Sequence, residues 1–322
     1  SGMSAGVLVV ISGLLGAGDI KQAQDAAHTS VALYALMAAV MTVLGLLFVP
    51  QILRLVQTPA AAMPEAKRYL YTVFAGTVFT FGYNLIGALQ RGLGNAAASM
   101  SFVIISSAAN IALDAVFIVW LGMGAFGAAL GTVLSQVAAF VIGTVQFARG
   151  GAALRLSARA VRFHKKHLKN ILLFGVPTAL NEVMVNLAML TVSGVANSFG
   201  LASSAAYGVG SRINSLAIFT DGAMNQTMSA YASQNIGAGR QKRALEGLWK
   251  AIILSAGAAL GTSLLVLGFA SEFSACFDSD PAVIEQSAAF LRVTVWSYPL
   301  FATVGPLIGF IRGTGNVEAS LL

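Results

Sequence analysis

The sequence predicts an all-α polytopic membrane protein made of two parallel-repeat six-helix bundles. Composition gives the class. Of 322 residues, 57% are hydrophobic and only 10% charged, and the mean hydropathy is +0.79, well away from the usage of soluble domains. A repeat gives the architecture. Arg-Gly-x-Gly-Asn begins at Arg91 and again at Arg312, 312 − 91 = 221 residues apart, and Gly16-Ala17-Gly18 returns as Gly237-Ala238-Gly239 at the same spacing.

Each apolar stretch is measured against the roughly 20 residues that a helix needs to cross a bilayer. Met3–Leu15 is short, and its opening residues lack the basic start and small-residue cleavage site of a signal peptide, so it is expected to be the tail of a helix cut by the start of the chain. Ala26–Val49, Tyr69–Leu89, Ala98–Leu121, Ala125–Phe147, Ile171–Val195, Leu248–Ala270 and Ala288–Ile311 follow as full crossings. Ser203–Ser233 carries Arg212, Asn214, Asp221, Asn225 and Gln226, so its place in the repeat predicts a helix where hydropathy does not. About nine helices are therefore expected in the chain. The glycines at 16, 18, 92, 94, 237, 239, 313 and 315 are expected in tight turns at helix ends that require φ > 0. No Lys-Ser/Thr follows them, so they are not phosphate loops.

Six crossings separate the loop at 16–19 from its copy at 237–240, an even number, so both copies enter from the same side and the halves are parallel repeats. One set of loops holds Lys21, Arg91, Arg149, Arg155, Arg159, Arg162, Lys165, Lys166, Lys169, Arg240, Lys242, Arg243 and Arg312. The other mixes Arg54, Lys67, Arg68 and Arg292 with Glu65, Glu272, Asp278, Asp280 and Glu285. The positive-inside rule makes the first set cytoplasmic, including the loops 150–169 and 235–247, in a plasma (inner) membrane. The same rule accounts for the net charge of +7, since the basic residues lie in short segments without aromatic interleaving and give no nucleic-acid surface.

By the repeat, residues 171–233 have counterparts that begin about 50 to 60 residues before Ser1, and two further helices are expected after residue 318. The complete protein then has twelve helices in about 440 residues. The domains are expected at 1–149 for the N-terminal bundle and 170–322 for the C-terminal bundle. Between them the polar stretch 150–169 forms a cytoplasmic linker with a basic, interface-lying portion.

The ordered series GAGD at 16–19, RGLGN at 91–95, NIALDAVFI at 110–118, GMGAFGAALGTVLSQ at 122–136 and AYASQNIGAG at 230–239 resembles the multidrug and toxic compound extrusion (MATE) family of secondary transporters. The resemblance extends along the whole chain. It implies a twelve-helix exporter that expels amphipathic, often cationic compounds in exchange for H⁺ or Na⁺. It also implies a cation site in the N-terminal bundle built from an Asn-x-x-x-Asp pair, a Thr on the next helix and an Asp on the first helix. Asn110, Asp114 and Thr132 match; the first-helix Asp falls outside this sequence.

The residues themselves single out the same positions. Ionisable groups at bilayer depth are costly and face a cavity or a partner. Asp114, Glu182, Arg212 and Asp221 qualify. Asp114 follows Asn110 by one helical turn, and Thr132 lies at comparable depth on the next, antiparallel span. A carboxylate, an amide oxygen and a hydroxyl brought together this way bind Na⁺ or relay a proton; the alternative is interhelical hydrogen bonding worth about 0.6 to 2 kcal/mol each. Glu182 sits beyond Pro177, where the freed backbone groups open a bend. Glu182 and Asp221 are candidate substrate or coupling residues of the C-terminal bundle, and Arg212 an interface anchor.

Cys276 is the single cysteine, so no intramolecular disulfide forms, and no His/Glu metal spacing occurs at bilayer depth. No cofactor is expected beyond H⁺ or Na⁺ as coupling ion, with Na⁺ at Asp114 as the one metal candidate. The expected partners are small amphipathic molecules and membrane lipids, with the protein a monomer. The reading is of a transporter rather than an enzyme. A lipid-linked oligosaccharide flippase of related fold is the alternative, and its anionic cargo calls for a basic cavity.

Overall fold

The computed structural model describes residues 2–150, 154–157 and 160–315, with the side chains at 216–219 left aside. Arg159 and Asn316 lie outside the described residues. All described regular structure is helical: α1 (Gly2–Gly16), α2 (Ile20–Leu55), α3 (Met63–Gly92), α4 (Ala96–Asp114), α5 (Gly124–Arg149), α6 (Lys165–Ser198), α7 (Leu201–Gly237), α8 (Gln241–Ala275), α9 (Pro281–Thr294) and α10 (Tyr298–Gly313). Among the described residues, seven spans are long and apolar enough to cross a membrane: α2, α3, α4 with the turn that follows it, α5, α6, α8, and α9 together with α10. The protein is an all-α polytopic membrane protein. The 37-residue α7 is helical despite its polar residues, in the place the repeat assigns to it.

Short side chains and turns set the helix ends. Asp19 caps α2 by accepting from the Gln22 N–H at 3.0 Å, and Asn95 caps α4 by accepting from Ala98 at 3.1 Å. The Gln22 backbone bond, then its side-chain amide, hold the Asp19 carboxyl below the usual carboxylate range. The repeated glycine pairs divide their work. Gly18, Gly94, Gly239 and Gly315 have φ of 76°, 81°, 71° and 90°, and each forms the turn leaving its helix. The first glycines of the pairs stay helical, which corrects the expectation of φ > 0 throughout. Gly16, Gly237 and Gly313 instead lie against neighbouring backbone, Gly313 with Ser229 O only 2.9 Å from where a Cβ would stand.

Contacts divide the chain into two compact units, one of Asp19–Leu172 and one of Gly2–Gly18 with Leu173–Leu322. In the first, α3 packs on α2 and α5, and α4 on α5. Gly76 receives Val133 and Gly82 receives Phe140, while Tyr34 and Phe81 meet edge-on with centroids 5.9 Å apart. Immediately after Asp114, the chain widens into a π-turn at Ala115–Trp120. Leu121 N–H bonds Val116 O at 3.0 Å and Met123 N–H bonds Phe117 O at 2.9 Å, a register the apolar pattern does not reveal.

In the second unit α7 is central, touching α1, α8, α9 and α10. The helix α1, placed by the sequence in residues 1–149, packs here. The crossing of α1 and α7 is reciprocal: Gly16 faces Gln234 O, and its repeat partner Gly237 faces Gly13 O, where 234 − 13 = 221. Ser233 adds a hydrogen bond to Val9 O at 2.7 Å. The crossing expected at 288–311 is broken into α9 and α10 by a 3₁₀ turn at Val295–Ser297. Val209, Ile213, Val266, Val283, Leu291 and Val295 form part of the apolar core of this unit.

Candidate functional site

In the first unit the face of α4 that meets α5 is polar at the depth of Asp114. Asn110 Nδ2 donates to Asp114 Oδ1 at 3.4 Å, the one-turn relation that their spacing predicts. Across from them, Gly131 on α5 leaves the place of a Cβ to Asp114 Oδ1, so a larger residue there collides with the carboxylate. One residue on, Thr132 joins Asn110 in lining a cavity of about 180 Å³. Asn110, Asp114 and Thr132 are thus close neighbours, with Asp114 one turn beyond the cavity wall.

The remaining wall was not read from the sequence. Tyr83 on α3, Ser106 and Ser107 on α4, and Ser135 and Gln136 on α5 complete its polar lining. Ser106 Oγ bonds Ser135 O at 2.6 Å, Ser135 Oγ bonds Thr132 O at 2.8 Å, and Thr80 Oγ1 bonds Gln136 Oε1. These bonds fix the side chains and leave an all-neutral, oxygen-rich wall beside one carboxylate. Gln136 closes the GTVLSQ stretch, and that amide in an apolar span is the one signal that could have found it.

Glu182 and Asp221 lie in the second unit. Glu182 Oε2 accepts from the Gly2 N–H at 3.0 Å, a contact permitted because Gly2 lies against Ala179 backbone with no Cβ between. Asp221 faces α10, where Gly305 leaves it room. One turn along α7, Asn225 Oδ1 accepts from Arg312 Nη1 at 3.1 Å. Arg312 is 8% exposed inside the last turn of α10, and Glu182 lies within its electrostatic reach. The sequence placed Arg312 among loop cations; the helix carries on past that point and buries it. Its repeat partner Arg91 lies inside α3 in the same way, with Nη1 on Ser99 Oγ at 2.8 Å. Arg212 is exposed. Among the described residues no group of three or more His, Cys, Asp or Glu side chains is arranged to hold a metal.

The chain is 27% identical over 314 residues to the probable multidrug resistance protein YpnP of Bacillus subtilis (strain 168), covering 98% of this chain and 70% of that one. It is 28% identical over 329 residues to the probable multidrug resistance protein YoeA of the same organism, with the same coverage. Among solved structures, an outward-facing multidrug resistance MATE family transporter of the MOP superfamily superposes with a TM-score of 0.90 at 25% identity, over 99% of this chain and 72% of that one. The MatE family profile matches residues 1–116 and 177–322. With more than half of the sequence matched and the helices superposing on a transporter of that kind, the chain belongs to the MatE family of membrane transporters.

Proposed function

We propose that the protein exports small amphipathic, cationic compounds across the plasma membrane by antiport with H⁺ or Na⁺, acting as a monomer with Asp114 as the coupling carboxylate. The observation that carries this reading is the grouping of Asp114, Asn110 and Thr132 beside a polar cavity in a MatE chain. A carboxylate, an amide oxygen and a hydroxyl form a donor set suited to a hard cation, and the same carboxylate can take a proton instead. Asn110 spends its Nδ2 on Asp114 and keeps its Oδ1 as an acceptor. The relatives named multidrug resistance proteins support a drug-like cargo.

The oligosaccharide-flippase alternative draws no support. None of the cavity-lining residues is basic, so nothing there offers an anionic cargo a counter-charge. Ethidium efflux from energised vesicles tests the proposal. Export should proceed with a gradient present and stop when an ionophore dissipates both the H⁺ and Na⁺ gradients. Efflux unaffected by dissipation contradicts antiport.

A further inference from the structure

The starts of α2 and α6 lie side by side in the first unit. Thr29 Oγ1 on α2 accepts from the His164 N–H at 3.2 Å, and Lys166 Nζ on α6 donates to Gln22 Oε1 at 2.8 Å. Both helices are long and apolar enough to span a bilayer and they begin together, so this junction stands at one surface of the membrane. It is strongly basic. Lys21 on α2, Arg162 just before α6, and Lys165, Lys166 and Lys169 on α6 are all exposed.

The same segments supply two carboxylates, and both are engaged elsewhere. Asp19 accepts from the Gln22 N–H at 3.0 Å and from the Gln22 side-chain amide, while Asp25 Oδ1 lies 3.8 Å from His164 Nε2. Among the described residues none of the five cations forms an ion pair. The first turn of α6 holds no acidic residue, and Lys165 and Lys169 stand one turn apart on one face, where like charges repel. An anion from outside the chain relieves that repulsion.

The apolar residues beside the cations indicate which anion. Phe163 is 48% exposed between Arg162 and Lys165, and Ile20, 45% exposed, precedes Lys21. From Lys169 the same face of α6 continues through Leu173, Val176 and Leu180, all exposed. A soluble anion uses the cations alone. A phospholipid uses both features, with its phosphate among the cations and its chains along the apolar residues. We propose that the starts of α2 and α6 form a binding site for the headgroups of anionic phospholipids. The site is separate from the cavity beside Asp114, and the inference is independent of cargo and coupling ion.

The start of α8 provides the comparison. It carries Arg240, Lys242 and Arg243, but Glu246 follows Lys242 and Arg243 by one turn and offsets them. The detergent-solubilised protein is given phosphatidylglycerol, phosphatidylcholine or inorganic phosphate, with bound lipid counted by native mass spectrometry and the unfolding temperature followed. Phosphatidylglycerol should be retained and should raise the unfolding temperature, as a ligand of the folded state does. Phosphatidylcholine at the same concentration should do neither, and inorganic phosphate should not displace the bound lipid. Replacing Lys165, Lys166 and Lys169 together by Gln should weaken phosphatidylglycerol binding about tenfold or more, because each cation adds to the attraction. Replacing Arg240, Lys242 and Arg243 by Gln removes the same charge and should leave binding at the parental level. Phe163→Ser should weaken binding without removing any charge. If the lysine variant unfolds early without lipid, Phe163→Ser decides in its place. Equal retention of phosphatidylcholine, parental binding in the lysine variant or an equal loss in the α8 variant overturns the proposal. Displacement by inorganic phosphate, or parental binding in Phe163→Ser, overturns it too, because the site then takes a free anion.

Discussion

Asp114 is positioned by a side chain that is lacking as well as by those present. Gly131 gives the carboxylate its space, and Asn110 holds one of its oxygens. Gly131→Ala therefore pushes the carboxylate off its partner. Efflux should fall roughly tenfold or more, in line with the cost of misplacing a reacting group by about 1 Å. Gly261→Ala, with nothing within 4 Å, should leave it unchanged. In the second unit, Glu182→Gln should alter the pH dependence of cationic dye export if Glu182 takes part in coupling or in attracting cargo. Export at the parental rate across pH assigns Glu182 a structural role. At this scale the sequence made Asp114, Asn110 and Thr132 legible, because a carboxylate in an apolar span is conspicuous and its neighbour lies one turn away. It hid Ser106 and Ser135, since hydroxyls cost little in a membrane helix when they bond backbone carbonyls, as these two do. It also misplaced Arg312, because a cation beside Gly-x-Gly reads as a loop until the helix is seen to continue past it.

Between elements, the seam of α7 and α10 shows what small residues do in a membrane protein. Gly305, Gly309 and Gly313 recur every fourth residue on α10 and bring its backbone against Asp221, Asn225 and Ser229 of α7. The register is constant, since 305 − 221 = 309 − 225 = 84, and the two helices run parallel. Gly309→Ala places a methyl into the Asn225 carbonyl. Overpacking of this kind costs about 1 to 3 kcal/mol, so the detergent-solubilised protein should unfold at a lower temperature. The open position Gly257→Ala should not shift it. The stripe was present in the sequence as G-x-x-x-G-x-x-x-G, a recognised close-packing pattern, yet hydropathy alone passes over it. The π-turn after Asp114 and the 3₁₀ break in α9–α10 were not legible, because both depend on one residue of backbone register rather than on apolar periodicity.

Across the whole molecule the crossings and their order were legible among the described residues because bilayer thickness sets a minimum length for a span, although the last crossing is split into α9 and α10, and α7 became legible through the 221-residue repeat. Packing was less so. That α1 packs with α7 follows from the reciprocal approach of Gly16 and Gly237, and one-dimensional patterns do not encode which helices meet. The distribution of basic residues predicts an orientation. A cysteine replacing Lys242 should be labelled only from the cytoplasmic face and one replacing Asp280 only from outside; equal or reversed accessibility contradicts that topology. The coupling role proposed for Asp114 has its sharpest test in Asp114→Asn. The variant should insert and fold as the parent does, while losing gradient-driven dye efflux, because a residue that binds no cation or proton differentially cannot bias the two facing states. Efflux that persists at the parental rate and still collapses when the gradient is dissipated shows that coupling runs through another residue.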